Sequence, residues 1–170
     1  MWNFGIKAAS DEMIEALNSN SHITLLKNQS LVKQTLNYMA LVRISSKYKD
    51  SSYNNYQISV PEKEPKIFKE KKKFAKQLLK VFNNRFSPAI VPTNELMVAP
   101  ASYFIVCGTD GLKDEQLIYA ERLKSVQRPV EIAYYKNAFH GIAPLVDSKW
   151  GFDVARTMLN DLAKYIEKNV

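Results

Sequence analysis

Ser102-Tyr103-Phe104-Ile105-Val106-Cys107 is followed by Gly108-Thr109-Asp110-Gly111, and Val130-Glu131-Ile132-Ala133-Tyr134-Tyr135 comes about twenty residues later. Each apolar run is short and unbroken, the pattern of a parallel strand buried on both faces. Between them, Leu117, Ile118, Ala120, Leu123 and Val126 recur at helical spacing from Asp114 onward, and Arg128-Pro129 ends the helix. Beyond the second strand, Lys136 to Gly141 reads as a loop. Phe152, Ala155, Met158, Leu159, Leu162 and Ile166 then mark an amphipathic terminal helix. Strand–helix–strand–helix at these lengths predicts a right-handed crossover in a parallel sheet, an α/β fold.

Upstream the pattern changes. Ser10-Asp11-Glu12-Met13 has the residues of a helix start, and Asn18-Ser19-Asn20-Ser21 interrupts it. A second helical run begins near Gln29, with Leu31, Val32, Leu36, Met39, Ala40 and Val42 at three- and four-residue steps. Lys47 to Pro65 is rich in Ser, Asn, Tyr and Lys and predicts a long exposed loop. A lysine-rich helix and a proline-punctuated connector, Ser87 to Pro100, complete this half. The expected organisation is therefore residues 1–85 as a helical segment with a polar loop and a basic helix, and 86–170 as the βαβα part.

Composition removes several function classes. With 46% hydrophobic and 24% charged residues over 170 positions, the chain has the mix of one folded core rather than of a disordered tail. The longest charge-free apolar run, Leu96 to Thr109, has 14 residues and contains Pro100, whereas a spanning helix needs about 20. Met1 to Lys7 has neither the basic start nor the apolar centre of a signal peptide, so neither leader nor anchor is expected. A single cysteine, Cys107, excludes an internal disulfide framework, and with His22 and His140 as the sole histidines a structural zinc site is not expected. The five glycines, at 5, 108, 111, 141 and 151, include no two that are adjacent or two, four or five apart. The chain thus has no Gly-x-Ser-x-Gly elbow, P-loop or Gly-x-Gly-x-x-Gly loop.

The net charge of +7 is concentrated. Glu62 to Lys80 holds eight lysines and three glutamates, a local +5. Ile67, Phe68, Phe74, Ala75, Leu78, Leu79 and Phe82 supply an apolar stripe in the same segment, which predicts a helix whose lysines face water. Arginine is absent and the aromatics fall on the apolar stripe, so nucleic acid is not the expected partner.

In an open parallel sheet, ligands bind at the carboxyl ends of the strands. Asp110, three residues past Cys107, and His140, five past Tyr135, both fall there. A carboxylate beside an imidazole fixes the tautomer and stabilises the imidazolium, the supporting half of a Ser-His-Asp system. By spacing alone, Asp110 also suits a plain turn former and His140 a structural histidine.

The wording of these loops is more specific than their spacing. Gly108-Thr109-Asp110-Gly111-Leu112-Lys113-Asp114-Glu115 resembles the acid loop, Asp-x-Leu-Arg-Asp-Asp/Glu, of the hormone-sensitive-lipase branch of α/β-hydrolases. Ala138-Phe139-His140-Gly141 resembles that branch's Gly-Phe-His-Gly histidine loop, and Ser87-Pro88-Ala89-Ile90 its Ser-Pro-Leu-Leu segment. Within the branch, the arylacetamide deacetylase and neutral cholesterol ester hydrolase group is most similar. Lys113 and Ala138 depart from the pattern, and Lys47 to Lys80 does not align.

The resemblance implies the C-terminal part of an α/β-hydrolase fold behind a helical cap-like segment. It implies Asp110 as triad acid, His140 as general base and no metal or organic cofactor. The implied activity is hydrolysis of a carboxylic ester or arylamide, with an apolar substrate, at the endoplasmic reticulum membrane or lumen and with peripheral membrane association. The family's oxyanion segment and serine elbow have no counterpart here, so the chain alone is expected to be inactive, requiring the N-terminal half of the fold as its partner. The alternatives are a truncated pseudoenzyme or partner-binding remnant and, more distantly, a basic module for nucleic acid or anionic membrane. A lone two-strand pair leaves a sheet edge and apolar faces uncovered, which predicts a marginal or aggregation-prone product.

Overall fold

Two parallel strands, β1 (Ser102–Thr109) and β2 (Val130–Phe139), form the sheet at the centre of the C-terminal part of the chain. The fold comes from a computed structural model, which describes residues 11, 14, 15, 19, 21–26, 29–40, 43–49, 63–70, 72–82, 85, 87–147 and 151–169. The chain divides into two compact units, Met1–Pro92 and Thr93–Val170.

In the second unit the register pairs Ser102 with Val130 and proceeds in step to Cys107 with Tyr135. Alternation along the strands sends Phe104, Val106, Ile132 and Tyr134 to one face and Tyr103, Ile105, Cys107 and Tyr135 to the other. Lys113–Ser125 forms the connecting helix. It packs on the first face, where Tyr119 meets Phe104 edge-on at 5.9 Å. Of the apolar positions read from the sequence, Leu117, Ile118, Ala120 and Leu123 are buried, whereas Val126 caps the helix and is half-buried. The helix ends in a Schellman arrangement: Arg128 N–H donates to the Leu123 carbonyl and Gln127 N–H to that of Lys124. Gln127 takes the left-handed conformation there (φ 61°), where glycine is usual.

The terminal helix, Asp153–Asn169, covers the second face. Met158 is fully buried with Cys107, Ala138 and Ile142. The Tyr135 hydroxyl donates to Asp161 Oδ2 at 2.8 Å, and Tyr165 stacks on Tyr103 with ring centroids 4.5 Å apart. Burial, then the neighbouring Asp161 carboxylate, raises the Tyr135 phenol far above its usual range, so it remains a donor.

Three features differ from the sequence reading. Of the strand residues only Val106, Cys107 and Ala138 are buried, because among the described residues the sheet has two strands and both outer edges lack a neighbour. Residues 136–139, expected as loop, continue β2. The connector carries a 3-10 turn, Pro88–Ile90, and a helical turn, Thr93–Leu96. The uncovered surface is apolar along the terminal helix, where Leu159 and Ile166, with Phe152 just before the helix, are exposed at seven-residue steps.

The first unit is helical, with Gln29–Tyr38, Lys66–Glu70 and Lys72–Leu78 as α-helices and 3-10 segments at Ser21–Leu25, Ser46–Tyr48 and Leu79–Phe82. Leu25, Ile67, Phe68 and Ala75 form its core, with Phe74 and Leu78 packed on it. Most of the helix start expected at Ser10 to Met13, all but the helical Asp11, and most of the loop expected from Lys47 to Pro65 lie outside the described residues.

Burial holds the His22 imidazole below its usual pKa of 6.5. The unfolded chain therefore takes up a proton at His22 at a higher pH than the folded chain does. The resulting stability is present above pH 6.5 and is lost as pH falls through the lower folded value. Urea titrations at pH 7.5 and 5.5 should show a lower midpoint in acid, and His22→Phe should remove part of that difference. An unchanged difference in His22→Phe would assign it elsewhere.

Candidate active site

Asp110 immediately follows β1 and His140 immediately follows β2, so the parallel pairing brings both to one edge of the sheet. His140 Nδ1 lies 3.0 Å from Asp110 Oδ2. The backbone holds each partner. Asp110 Oδ1 accepts the Leu112 N–H at 2.8 Å, and the Asp110 carbonyl accepts the Lys113 N–H at 3.1 Å. His140 N–H donates to the Thr109 carbonyl at 3.3 Å. The Asp110 side chain is 5% exposed and that of His140 58%. A shielded carboxylate with one oxygen already bonded has little freedom to turn, and it engages the ring through Nδ1. Imidazole geometry then directs Nε2 away from the carboxylate.

The two strands do not advance evenly to this edge. Between the Cys107–Tyr135 and Thr109–Phe139 pairs, β1 moves two residues and β2 moves four. The excess is accommodated at Gly108. A methyl group built on its Cα would sit 2.0 Å from the Lys136 carbonyl oxygen, well inside contact distance. Gly108, within β1, thus serves close approach of two backbones, and it lets His140 arrive beside Asp110. A glycine directly after the apolar run was the available signal, but which chain approaches it is a tertiary fact. Gly141, at φ +79°, instead turns the chain after the histidine, with nothing within 4 Å of its would-be side chain.

Flanking groups fix the edge further. Phe139 meets Phe152 edge-on at 5.8 Å, joining the histidine loop to the start of the terminal helix. Ala138, the departure from the family's glycine, is fully buried against Cys107, Ile142 and Met158. Burial and the Asp110 charge push the Cys107 thiol above its ordinary value, opposite to the shift a cysteine nucleophile needs. Burial, then Asp114, raises Glu115. Among the described residues no three His, Cys, Asp or Glu side chains are grouped to hold a metal ion. Nor is any helix among them long and apolar enough to cross a membrane. A cavity of about 350 Å³ lies in the first unit, lined by Glu15, Ser19, Ser21, Pro65, Lys66, Ile67 and Glu70, and contains neither candidate residue.

Comparison with known proteins agrees with this architecture. Neutral cholesterol ester hydrolase 1 of Bos taurus is 22% identical over 162 residues, covering 94% of this chain and 36% of the relative. Its Mus musculus counterpart is 29% identical over 84 residues, 49% of this chain and 21% of the relative. Arylacetamide deacetylase of Bos taurus is 29% identical over 86 residues, 51% and 22% respectively. The chain spans about a third of the length of the first of these relatives. No solved structure matches. The family model described as alpha/beta hydrolase fold matches residues 17–144, most of the chain and both candidate residues. With its parallel strands, crossover helix and terminal helix, the chain belongs to the alpha/beta hydrolase fold family.

Proposed function

We propose that this chain is the acid–base portion of a serine carboxylic-ester hydrolase, with Asp110 as triad acid and His140 as general base. The observation that carries the reading is the 3.0 Å contact between His140 Nδ1 and a shielded Asp110 carboxylate at the carboxyl ends of neighbouring parallel strands. With Asp110 on Nδ1, the proton there is fixed and Nε2 is the basic nitrogen. In the assembled enzyme Nε2 takes the proton of a serine hydroxyl as that oxygen attacks the ester carbonyl. It then returns the proton to the leaving alkoxide or amine. Water repeats the sequence on the acyl-serine and releases the acid.

The serine and the oxyanion donors come from outside these 170 residues, because the glycine spacing excludes both motifs. Oxyanion donors are worth about 10²–10³ in rate each, so this chain alone carries negligible hydrolysis. The names of the relatives, a cholesterol ester hydrolase and an arylacetamide deacetylase, point to an apolar ester or arylamide substrate. By family resemblance, the helices from Ser10 to Val42 belong to a cap-like segment.

The test is the native transcript upstream of Met1, together with fluorophosphonate labelling of its product. In-frame His-Gly-Gly-Gly and Gly-x-Ser-x-Gly segments, a labelled full product and an unlabelled 170-residue chain are the expected outcome. A stop codon just upstream of Met1, with no labelled product, would leave a pseudoenzyme. Turnover of p-nitrophenyl butyrate by the 170-residue chain alone would overturn the assignment of an external nucleophile.

A further inference from the structure

Lys66 and Lys69 on the helix Lys66–Glu70, Lys73 and Lys76 on Lys72–Leu78 and Lys80 on the 3-10 segment Leu79–Phe82 follow one another at steps of three and four residues. All five are exposed, as is Lys72 beside them. Beneath them Ile67, Phe68 and Ala75 are buried in the core of the first unit, so the row is fixed by its own apolar face. Glu70 is the one acid between Lys66 and Lys80, and it is paired with Lys66 at 3.2 Å across an exposed helical turn. A face made only for solubility has no need to segregate one sign of charge, and mixed signs would give it stabilising pairs four residues apart.

We infer that this lysine row is a docking surface for an anionic lipid bilayer. Three observations favour a bilayer over a nucleic acid. The row has no arginine to make bidentate contacts with phosphate or guanine. It offers no aromatic ring for base stacking, since Phe68 is 1% exposed and Phe74 is half-buried within the core cluster. Leu79, adjacent to Lys80, is 41% exposed and gives the charged row an apolar side chain at its border. With the apolar side of the segment held in the protein core, the lysines act as point charges over dispersed anionic headgroups, an electrostatic attachment with Leu79 at its border. The inference does not depend on the hydrolase chemistry.

The experiment is co-sedimentation of the 170-residue chain with phosphatidylcholine vesicles, with and without about one third phosphatidylserine, in about 0.1 M salt. Lys69→Gln/Lys73→Gln/Lys76→Gln removes three charges from the row. Lys124→Gln/Lys164→Gln/Lys168→Gln removes three from the other unit and serves as the charge-matched control. Circular dichroism checks that both remain folded. The expected result is binding to the phosphatidylserine vesicles only. Each lysine contributes about five-fold, so the row variant should lose about 100-fold in partitioning and the control only a few-fold. Equal losses in the two variants, or no binding to phosphatidylserine vesicles, would overturn the inference. Tighter binding to a DNA or RNA duplex than to vesicles at the same salt would reassign the row to nucleic acid.

Discussion

Gly108→Ala is expected to cost about 3 kcal/mol of stability and to separate His140 from Asp110. The Lys136 carbonyl occupies the space a methyl would need, at 2.0 Å from the built Cβ. A carbonyl in the backbone of β2 is not the movable end of a flexible side chain. Either the strands part locally or the β2 irregularity is lost, and both move His140. For a chain of this length the melting temperature should fall by about 6 °C or more. Gly141→Ala is the informative contrast. It meets no neighbouring atom but must hold φ +79°, so its cost is that of a left-handed alanine, about 1 kcal/mol. Urea denaturation of both variants checks the order, and NMR of the His140 ring reports whether the Asp110 contact persists. Should Gly141→Ala prove the more damaging of the two, close packing at Gly108 is not what shapes this edge.

Asp110→Asn, made in the fuller product proposed above to carry the serine motif, should lower kcat about 10⁴-fold with KM changed little. Asparagine keeps an oxygen for the Leu112 N–H, so the turn survives. What it loses is the charge opposite Nδ1, and with it the fixed tautomer and the stabilised imidazolium. His140→Ala should be at least as damaging, and the double variant no slower than the worse single, because the two act as one unit. Since the His140 ring is more than half exposed, its removal should leave the melting temperature within about 2 °C of the parent. A fluorophosphonate labelling rate that falls in parallel would place the defect in nucleophile activation. Multiplicative losses in the double variant would argue that the two residues do not act through each other.

The uncovered apolar face makes a practical link between fold and behaviour. Leu159 and Ile166 on the outside of the terminal helix, with Phe152 just before it, lie at seven-residue steps, and the outer edge of each strand is open among the described residues. Exposed apolar side chains and unpaired strand edges both favour association of chains, and the expected result is a concentration-dependent increase in light scattering by the 170-residue chain.

Local pattern carried much of the second unit. The apolar runs at 102–107 and 130–135 became strands, and the stripe from Leu117 to Leu123 became the buried side of the crossover helix, because burial periodicity is written along the chain. Chain order and strand ends likewise indicated that Asp110 and His140 would emerge together, and the wording of their loops pointed to the family. Sequence alone also decided the largest chemical fact, that glycine spacing leaves no serine elbow or oxyanion loop within these residues. Other features belong to contacts between distant residues. That β2 continues through Phe139, and that Gly108 admits the Lys136 carbonyl, depends on how two strands meet across about thirty positions. The bond from Tyr135 to Asp161 spans a similar distance. The shortfall in strand burial has the same origin, since an apolar run states what a strand can bury, while only its neighbours in space determine how much of it is covered.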